Sequence, residues 1–390
     1  MSAEQRGGRV SLRTVASDWT RIGLTGFGGP PAHISLLRQL VVERRRWIDA
    51  RAFEDAITAS SLLPGPASTQ LAIYCAYRVG GPTAAIVGGL GFIAPAVAII
   101  IALSVLFLGT SPPTWVRGAG AGAGAAVAAV ALRAGLDLIR PSYRAAGGRS
   151  ARRIRWGAYL LAGAVSAALV GPYLALVLVA CGLTELLIER RAEPASPQRS
   201  NRFGILTPAV IAKAGVGPLA WTAFKVGALS FGGGFVIIPL MQGDAVHTYH
   251  WMTSGQFLNA VALGQVTPGP VVATVAAVGY AAHGVAGGLL AALVAFVPSF
   301  TFVLVGSGRF ERLRDNSSAV SFLNGAGPAA IGAILGAAIP LTRALSEPWQ
   351  AGVLAVSAVS LLVLRRGVVQ ILLVAGLAGV LVAVAGAPVP

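Results

Sequence analysis

The chain reads as an all-α polytopic membrane protein made of two homologous halves, inverted repeats that each carry paired broken helices. Three observations predict this. Of its 390 residues 55% are hydrophobic and 11% charged, with a mean hydropathy of +0.74, whereas soluble domains are about a quarter charged. Apolar runs recur at the length a bilayer demands, about 20 residues per helix. Finally, motifs return at a fixed spacing. Pro64-Gly65-Pro66 comes back as Pro268-Gly269-Pro270 (268 − 64 = 204), and Phe27-Gly28-Gly29-Pro30 as Phe231-Gly232-Gly233-Gly234 (231 − 27 = 204). Gly23 and Gly227, Trp47 and Trp251, Phe53 and Phe257, and the cations Arg21 and Lys225 keep the same offset. A constant ungapped offset marks an internal duplication.

In chain order, 1–14 is a polar, basic tail without the apolar core of a signal peptide. The first repeat, 15–189, opens with an element at 15–42 that Gly26 to Pro31 must interrupt, because proline lacks a donor and glycine admits unusual dihedrals. A polar loop at 43–51 follows. The second element, 53–79, breaks at Pro64-Gly65-Pro66, either as a re-entrant hairpin or as a broken span. Four conventional helices are expected at 83–108, 118–139, 156–170 and 172–189. A polar cytoplasmic linker, 190–215, leads to the second repeat, 216–390, with helices expected at 284–306, 319–342, 350–364 and 368–387. The Gly-Ala alternation of 118–124 suits close helix packing in lipid rather than a linker.

The charges orient the halves. Arg44, Arg45 and Arg46 follow the first element, but its counterpart at 242–255 has no Lys or Arg. The loop at 109–115 is bare, while its counterpart carries Arg309, Arg312 and Arg314. Residues 133–155 are rich in arginine, against Arg343 alone at 341–350; Gly171-Pro172 is bare and Arg365-Arg366 is not. Because Lys and Arg favour the cytoplasmic side, the halves are predicted to be inverted. Inversion of fused copies requires an odd number of crossings per repeat or an extra crossing between them. If one broken element spans and the other re-enters, the count is odd but places the N-terminus outside, against Arg6, Arg9 and Arg13. The net charge of +16 thus reflects cytoplasmic loops, not nucleic acid. Contact of these loops with anionic lipid is generic.

Inverted repeats with paired broken helices are the architecture of secondary transporters, which bind substrate near the bilayer midplane. A helix restarting after a break offers free N–H groups and a partial positive charge, both suited to an anion. The restarts follow Pro30-Pro31, Gly234, Pro66 and Pro270. Arg21 and Lys225 add formal charge, although Arg21 could instead snorkel to the interface. Thr69, Gln70, Gln265, Thr267 and Thr274 offer neutral hydrogen bonds, Gln70 and Thr274 as repeat equivalents. His33 is a proton carrier or a packing histidine. Glu54 is a candidate for proton coupling or the acidic start of a helix. Asp137 and Glu185 read as boundary charges. Cys75 and Cys181 give neither a disulfide framework nor a metal spacing. No Walker loop, nucleotide fingerprint, nucleophilic triad or metal cluster is present, so neither an enzyme nor a cofactor is expected.

Taken together, Phe27-Gly-Gly-Pro-Pro-Ala-His-Ile34, Leu63-Pro-Gly-Pro66 with Gln70 and Tyr74 beyond, Phe231-Gly-Gly-Gly-Phe235 with Pro239, and Thr267-Pro-Gly-Pro-Val271 with Gly279-Tyr280 resemble the chromate ion transporter family in its long two-domain form. The resemblance runs from about Trp19 to the C-terminus. It implies a multi-pass inner-membrane carrier that exports chromate, a tetrahedral divalent oxyanion, using the membrane potential or the proton gradient. As site residues it implies Phe27, Gly28, Gly29, Pro30, His33, Pro64, Gly65, Pro66, Phe231, Gly232, Gly233, Pro268, Gly269 and Pro270. Gln70 stands where the family more often has a smaller amide. Two alternatives remain: a carrier of sulfate or another oxyanion, and a non-transporting membrane scaffold. Whether two copies pair as a homodimer is left open.

Overall fold

Where the sequence breaks, the helices break, and they do so twice over at the same spacing. The computed structural model describes residues 10–63, 65–109, 111–147, 150–192, 216–230, 234–306 and 317–390. In the first repeat α1 is Leu12–Thr25 and α2 is Pro30–Arg38, continued by a π-helical turn Gln39–Arg44; α3 is Ala50–Leu62 and α4 is Ala67–Phe107. In the second, α8 is Gly217–Ala228 and α9 is Ile237–Gln242, continued by a π-helical turn Gly243–Thr248; α10 is Ser254–Val266, and a short 3-10 turn leads into α11, Val275–Gly306. The local devices are duplicated as well. Asp49 caps α3 through the Ala52 N–H, and Thr253 caps α10 at the matched position, each satisfying a donor that the first turn leaves orphaned. Arg46 (φ 53°) and His250 (φ 52°) follow the two π-helical turns.

Both broken elements are hairpins. In the first, the His33 ring lies beside Gly26, while the pair Asp18–Arg45 (3.1 Å) and the stacked rings of Trp19 and Trp47 close the other end. In the second, α3 turns at residues 63–66 and the chain returns along α4. The helix α4 is itself two antiparallel arms, because Gly81 (φ 81°, ψ −166°) reverses the chain. A Cβ on Gly88 would sit 2.6 Å from the Ala76 Cβ, and one on Gly89 2.9 Å from Ile73 Cγ1. The same reversal occurs in α11 at His283 and Gly284 (φ 62°), with Gly279 against the Gly287 carbonyl. The first arm of α4, 67–80, is roughly 20 Å long and the second, 82–107, roughly 39 Å. Only the second can cross a hydrocarbon core of about 30 Å.

Each repeat thus has two re-entrant hairpins followed by further helical segments, rather than one spanning and one re-entrant element; among the described residues the helices Ala67–Phe107, Thr114–Ala145, Val271–Gly306 and Ser317–Arg343 are long and apolar enough to cross a membrane. The remaining helices are α5 (Thr114–Ala145), α6 (Ser150–Val165, continued to Val170), α7 (Leu174–Ala192), α12 (Ser317–Arg343), α13 (Pro348–Leu362) and α14 (Val368–Val384). The helices α5 and α6 run further than expected, so most of the arginine-rich segment 133–155 is helical instead of loop.

The halves are inverted. The second arms of α4 and α11 pack antiparallel, Gly89 against Phe300 and Gly288 against Ile101. The halves also exchange partners. Gly118 and Gly122 of α5 meet Gly379 and Ala375 of α14, while Gly325 of α12 meets the Cys181 backbone of α7. These seams are lined by Gly and Ala, which let backbones approach where lipid supplies no hydrophobic drive.

Tracing these directions puts the first residues of α1, the turns after α2, α5 and α7, and Arg365-Arg366 at one end of the molecule. The opposite end carries only Arg117 and Arg343 among its described arginines. The basic end is therefore cytoplasmic, and the N-terminal side of α1 lies there, in accord with Arg13. Beyond Ala192, where α7 ends, the expected cytoplasmic linker runs on to residue 215. That connection lies outside the described residues, as do Arg309, Arg312 and Arg314.

Candidate functional site

The hairpin tips carry the motifs, and each Pro-Gly-Pro tip inserts into the other repeat. A Cβ on Gly65 would lie 3.2 Å from the Gly227 carbonyl oxygen of α8; one on Gly269 would lie 3.4 Å from the Gly23 carbonyl oxygen of α1. These are the same contact viewed from the two halves (227 − 23 = 269 − 65 = 204). Both tip glycines are left-handed, Gly65 at φ 118° and Gly269 at φ 100°, and glycine alone takes that conformation without strain. The Gly269 N–H donates to the Gly26 carbonyl at 3.0 Å, joining the second repeat's tip to the first repeat's other break. Gly65, Pro66, Gly269 and Pro270 are buried, as are Thr69, Gln70 and Thr274, while Phe27 and Gly28 are exposed. Pro64, Phe231, Gly232 and Gly233 lie outside the described residues.

Around the tips, several buried polar atoms have no hydrogen-bond partner among the described residues: Thr69 Oγ1, Ser230 Oγ, Gln265 Nε2 and Ser299 Oγ. Such atoms cost about 1–3 kcal/mol each unless something meets them, and in hydrocarbon they have no water to turn to. Gln70 Nε2 points at the Gly65 tip, 2.7 Å from where a Cβ would sit. Thr267 and Thr274 are internally satisfied, donating to the Leu263 and Val271 carbonyls.

His33 is fully buried. Its Nε2 lies 3.0 Å from the Gly26 carbonyl. A carbonyl only accepts, so Nε2 carries the proton; Nδ1 is then free to accept from the Ser68 hydroxyl at 3.3 Å. The Phe92 ring meets it edge-on. A neutral, doubly satisfied imidazole of this kind ties the first break to the start of α4 and to its second arm. Lys225 is not a bare cation. Its Nζ is 2.6 Å from Asp244 Oδ2, with side chains 15% and 4% exposed, and Thr222 donates to the same oxygen at 2.7 Å. Arg21 is exposed on α1. Glu54 lies on the cytoplasmic surface, its side chain 62% exposed and paired with Arg38, far from the tips along α3.

Three residues near the site escaped the sequence reading. Asp244 is an acidic residue directly after an apolar helix, and its rarity in such a setting was the available signal. Ser230 and Ser299 carried none, since serine is common in membrane helices. Glu185 is more than a boundary charge: buried, it accepts two hydrogen bonds from Arg155 (2.6 and 2.7 Å) and one from Tyr159. A cavity of about 530 Å³ opens on the non-cytoplasmic face between α5 and the start of α10, with Arg117, Asn259 and Gln350 in its wall. Near this face burial, and secondarily the Asp244 carboxylate, pushes the Tyr249 phenol above its ordinary value. Among the described residues no group of three or more His, Cys, Asp or Glu is placed to hold a metal.

Comparison with known proteins fits this architecture. The profile of the chromate transporter family matches residues 13–186 and 217–381, one stretch per repeat. The chromate transport protein of Cupriavidus metallidurans is 30% identical over 381 residues, 94% of this chain and 92% of that protein. The chromate transport protein of Pseudomonas aeruginosa is 30% identical over 391 residues, covering 96% and 93%. A probable chromate transport protein of Synechococcus elongatus is 28% identical, covering 85% of each. No solved structure matches. With this family goes a multi-pass inner-membrane location and no enzymatic activity. The chain, with its two inverted repeats, belongs to the chromate transporter family.

Proposed function

We propose that the protein exports chromate from the cytoplasm, driven by the membrane potential or the proton gradient, and so confers chromate resistance. The observation that carries this reading is the approach of the two re-entrant tips, at Gly65 and Gly269, to the opposite repeat in the protein interior, where several buried hydrogen-bonding groups lack partners among the described residues. Helices that begin at mid-membrane aim N–H groups and a partial positive charge inward, a fitting environment for a dianion. The site residues proposed are those of the breaks: Phe27, Gly28, Gly29, Pro30 and His33 at the first, and Gly65, Pro66, Thr69 and Gln70 at the second. Gln265 and the second tip's Pro268, Gly269, Pro270 and Thr274 complete the set, with Arg21 and the Asp244-paired Lys225 as the nearby cations.

Movement of radiolabelled chromate in everted membrane vesicles tests this, with and without the gradient and with sulfate as competitor. Uptake that collapses with the gradient and is inhibited by sulfate is the expected result. Gradient-dependent sulfate movement without chromate movement would replace the substrate and keep the architecture, since the two anions share shape and charge. No movement of either anion would overturn the transport reading.

A further inference from the structure

The two tips are related by symmetry but are not chemically equivalent. At the second tip the Gly269 N–H is spent on the Gly26 carbonyl, and the nearest neighbour from the opposite repeat is the Ala96 methyl, 2.7 Å from a Cβ placed on Gly269. At the first tip the Gly65 N–H has no carbonyl partner among the described residues. The neighbour in the place of Ala96 is Ser299, its Oγ 3.5 Å from a Cβ on Gly65. The correspondence of Ser299 and Ala96 is fixed by the helices that bear them, because Pro298 and Pro95 precede them (298 − 95 = 203).

Ser299 is also an exception among hydroxyls of membrane helices, which ordinarily donate to the carbonyl four residues back. Ser104 does so to Ile100, Thr184 to Ala180, and Thr301, two residues along the same helix, to Val297. Ser299 is fully buried and donates to nothing described. Thr69, in the first turn after the tip, is likewise fully buried, and its hydroxyl has no partner among the described residues.

We infer that the protein holds one oxyanion per chain, at the Gly65 tip rather than on the symmetry axis or at both tips, and that Ser299 of the opposite repeat completes the site. The Gly65 N–H and the Ser299 and Thr69 hydroxyls supply donors from both repeats to a tetrahedral anion. Because Ser299 comes from the second repeat and the tip from the first, any rocking of one repeat against the other opens or closes the site. This inference rests on the transport reading above and names its site.

The test uses the full-length chain, purified in detergent, with sulfate and chromate as probes in equilibrium binding and in proteoliposome flux. Wild-type protein is expected to bind one anion per chain. Ser299→Ala should weaken binding by about tenfold or more, the size expected for one hydrogen bond to a charged group, and Ser299→Thr should recover most of it. Ser104→Ala, which removes a buried hydroxyl already satisfied within its own helix, should bind as wild type does. All variants are compared at equal monodispersity in size-exclusion chromatography. Two anions per chain, or wild-type affinity in monodisperse Ser299→Ala, would overturn the single-tip site while leaving transport intact. Absence of binding and flux for both anions in wild-type protein would sink the transport reading, and this inference with it.

Discussion

Lys225 and Asp244 form a largely buried ion pair, Nζ to Oδ2 at 2.6 Å. Removing one partner of a buried pair costs about 3–5 kcal/mol, because the other charge is left without compensation. Lys225→Ala is therefore expected to lose both thermal stability and transport. Lys225→Met combined with Asp244→Asn removes both charges and should regain most of the stability, read as the melting temperature of the purified protein. Flux in that double variant separates two roles: restored transport would make the pair structural, whereas a stable but inactive protein would assign Lys225 to the anion. At the tips, Gly269→Ala meets two penalties. Its left-handed φ costs about 1–3 kcal/mol for a residue with a side chain, and the new Cβ would press on Ala96. Transport by this variant should fall at least about tenfold for a loss of that size; wild-type flux would show that the tip does not need its present shape.

At the scale of elements, the sequence announces each break, but proline is not what reverses the chain. Thr267 ends α10 in extended conformation, and the turn itself is made at Gly269. Pro268→Ala should impair transport, by favouring continued helix, yet less than Gly269→Ala does; equal or greater damage from the proline change would reverse this order. The seam of α5 and α14 depends on the absence of side chains. Gly118 and Gly122 lie on the backbone of Gly379 and Ala375, so Gly379→Leu would drive the helices apart. Loss of the monodisperse folded peak is expected, and an unchanged elution profile would show that the seam tolerates separation.

For the whole molecule, the inversion makes a topological prediction. Single cysteines at Ser111 and His247 should react with an impermeant maleimide applied from outside the cell. Cysteines at Arg153 and Arg366 should react only after permeabilisation. The native thiols Cys75 and Cys181 are buried and give little background. Because each pair takes one position from each repeat, labelling of either inner position from outside would contradict the antiparallel arrangement of α4 and α11.

The sequence by itself determined the helical membrane class, the duplication, the positions of the breaks and the opposite orientation of the halves. Those properties are local or compositional: hydropathy over about 20 residues, proline and glycine at fixed places, and arginine in particular loops. Only the tertiary structure decided that both broken elements re-enter, since a Gly81 that bends a helix and one that folds it back look alike in a sequence. It also decided that Lys225 is paired, because Asp244 lies nineteen residues further along the chain and reaches it only when α8 and α9 pack (244 − 225 = 19). The difference between the tips was invisible for the same reason. Ser299 stands 234 residues from Gly65 (299 − 65 = 234), and what sets it apart from any other serine is the company it keeps across the repeat interface.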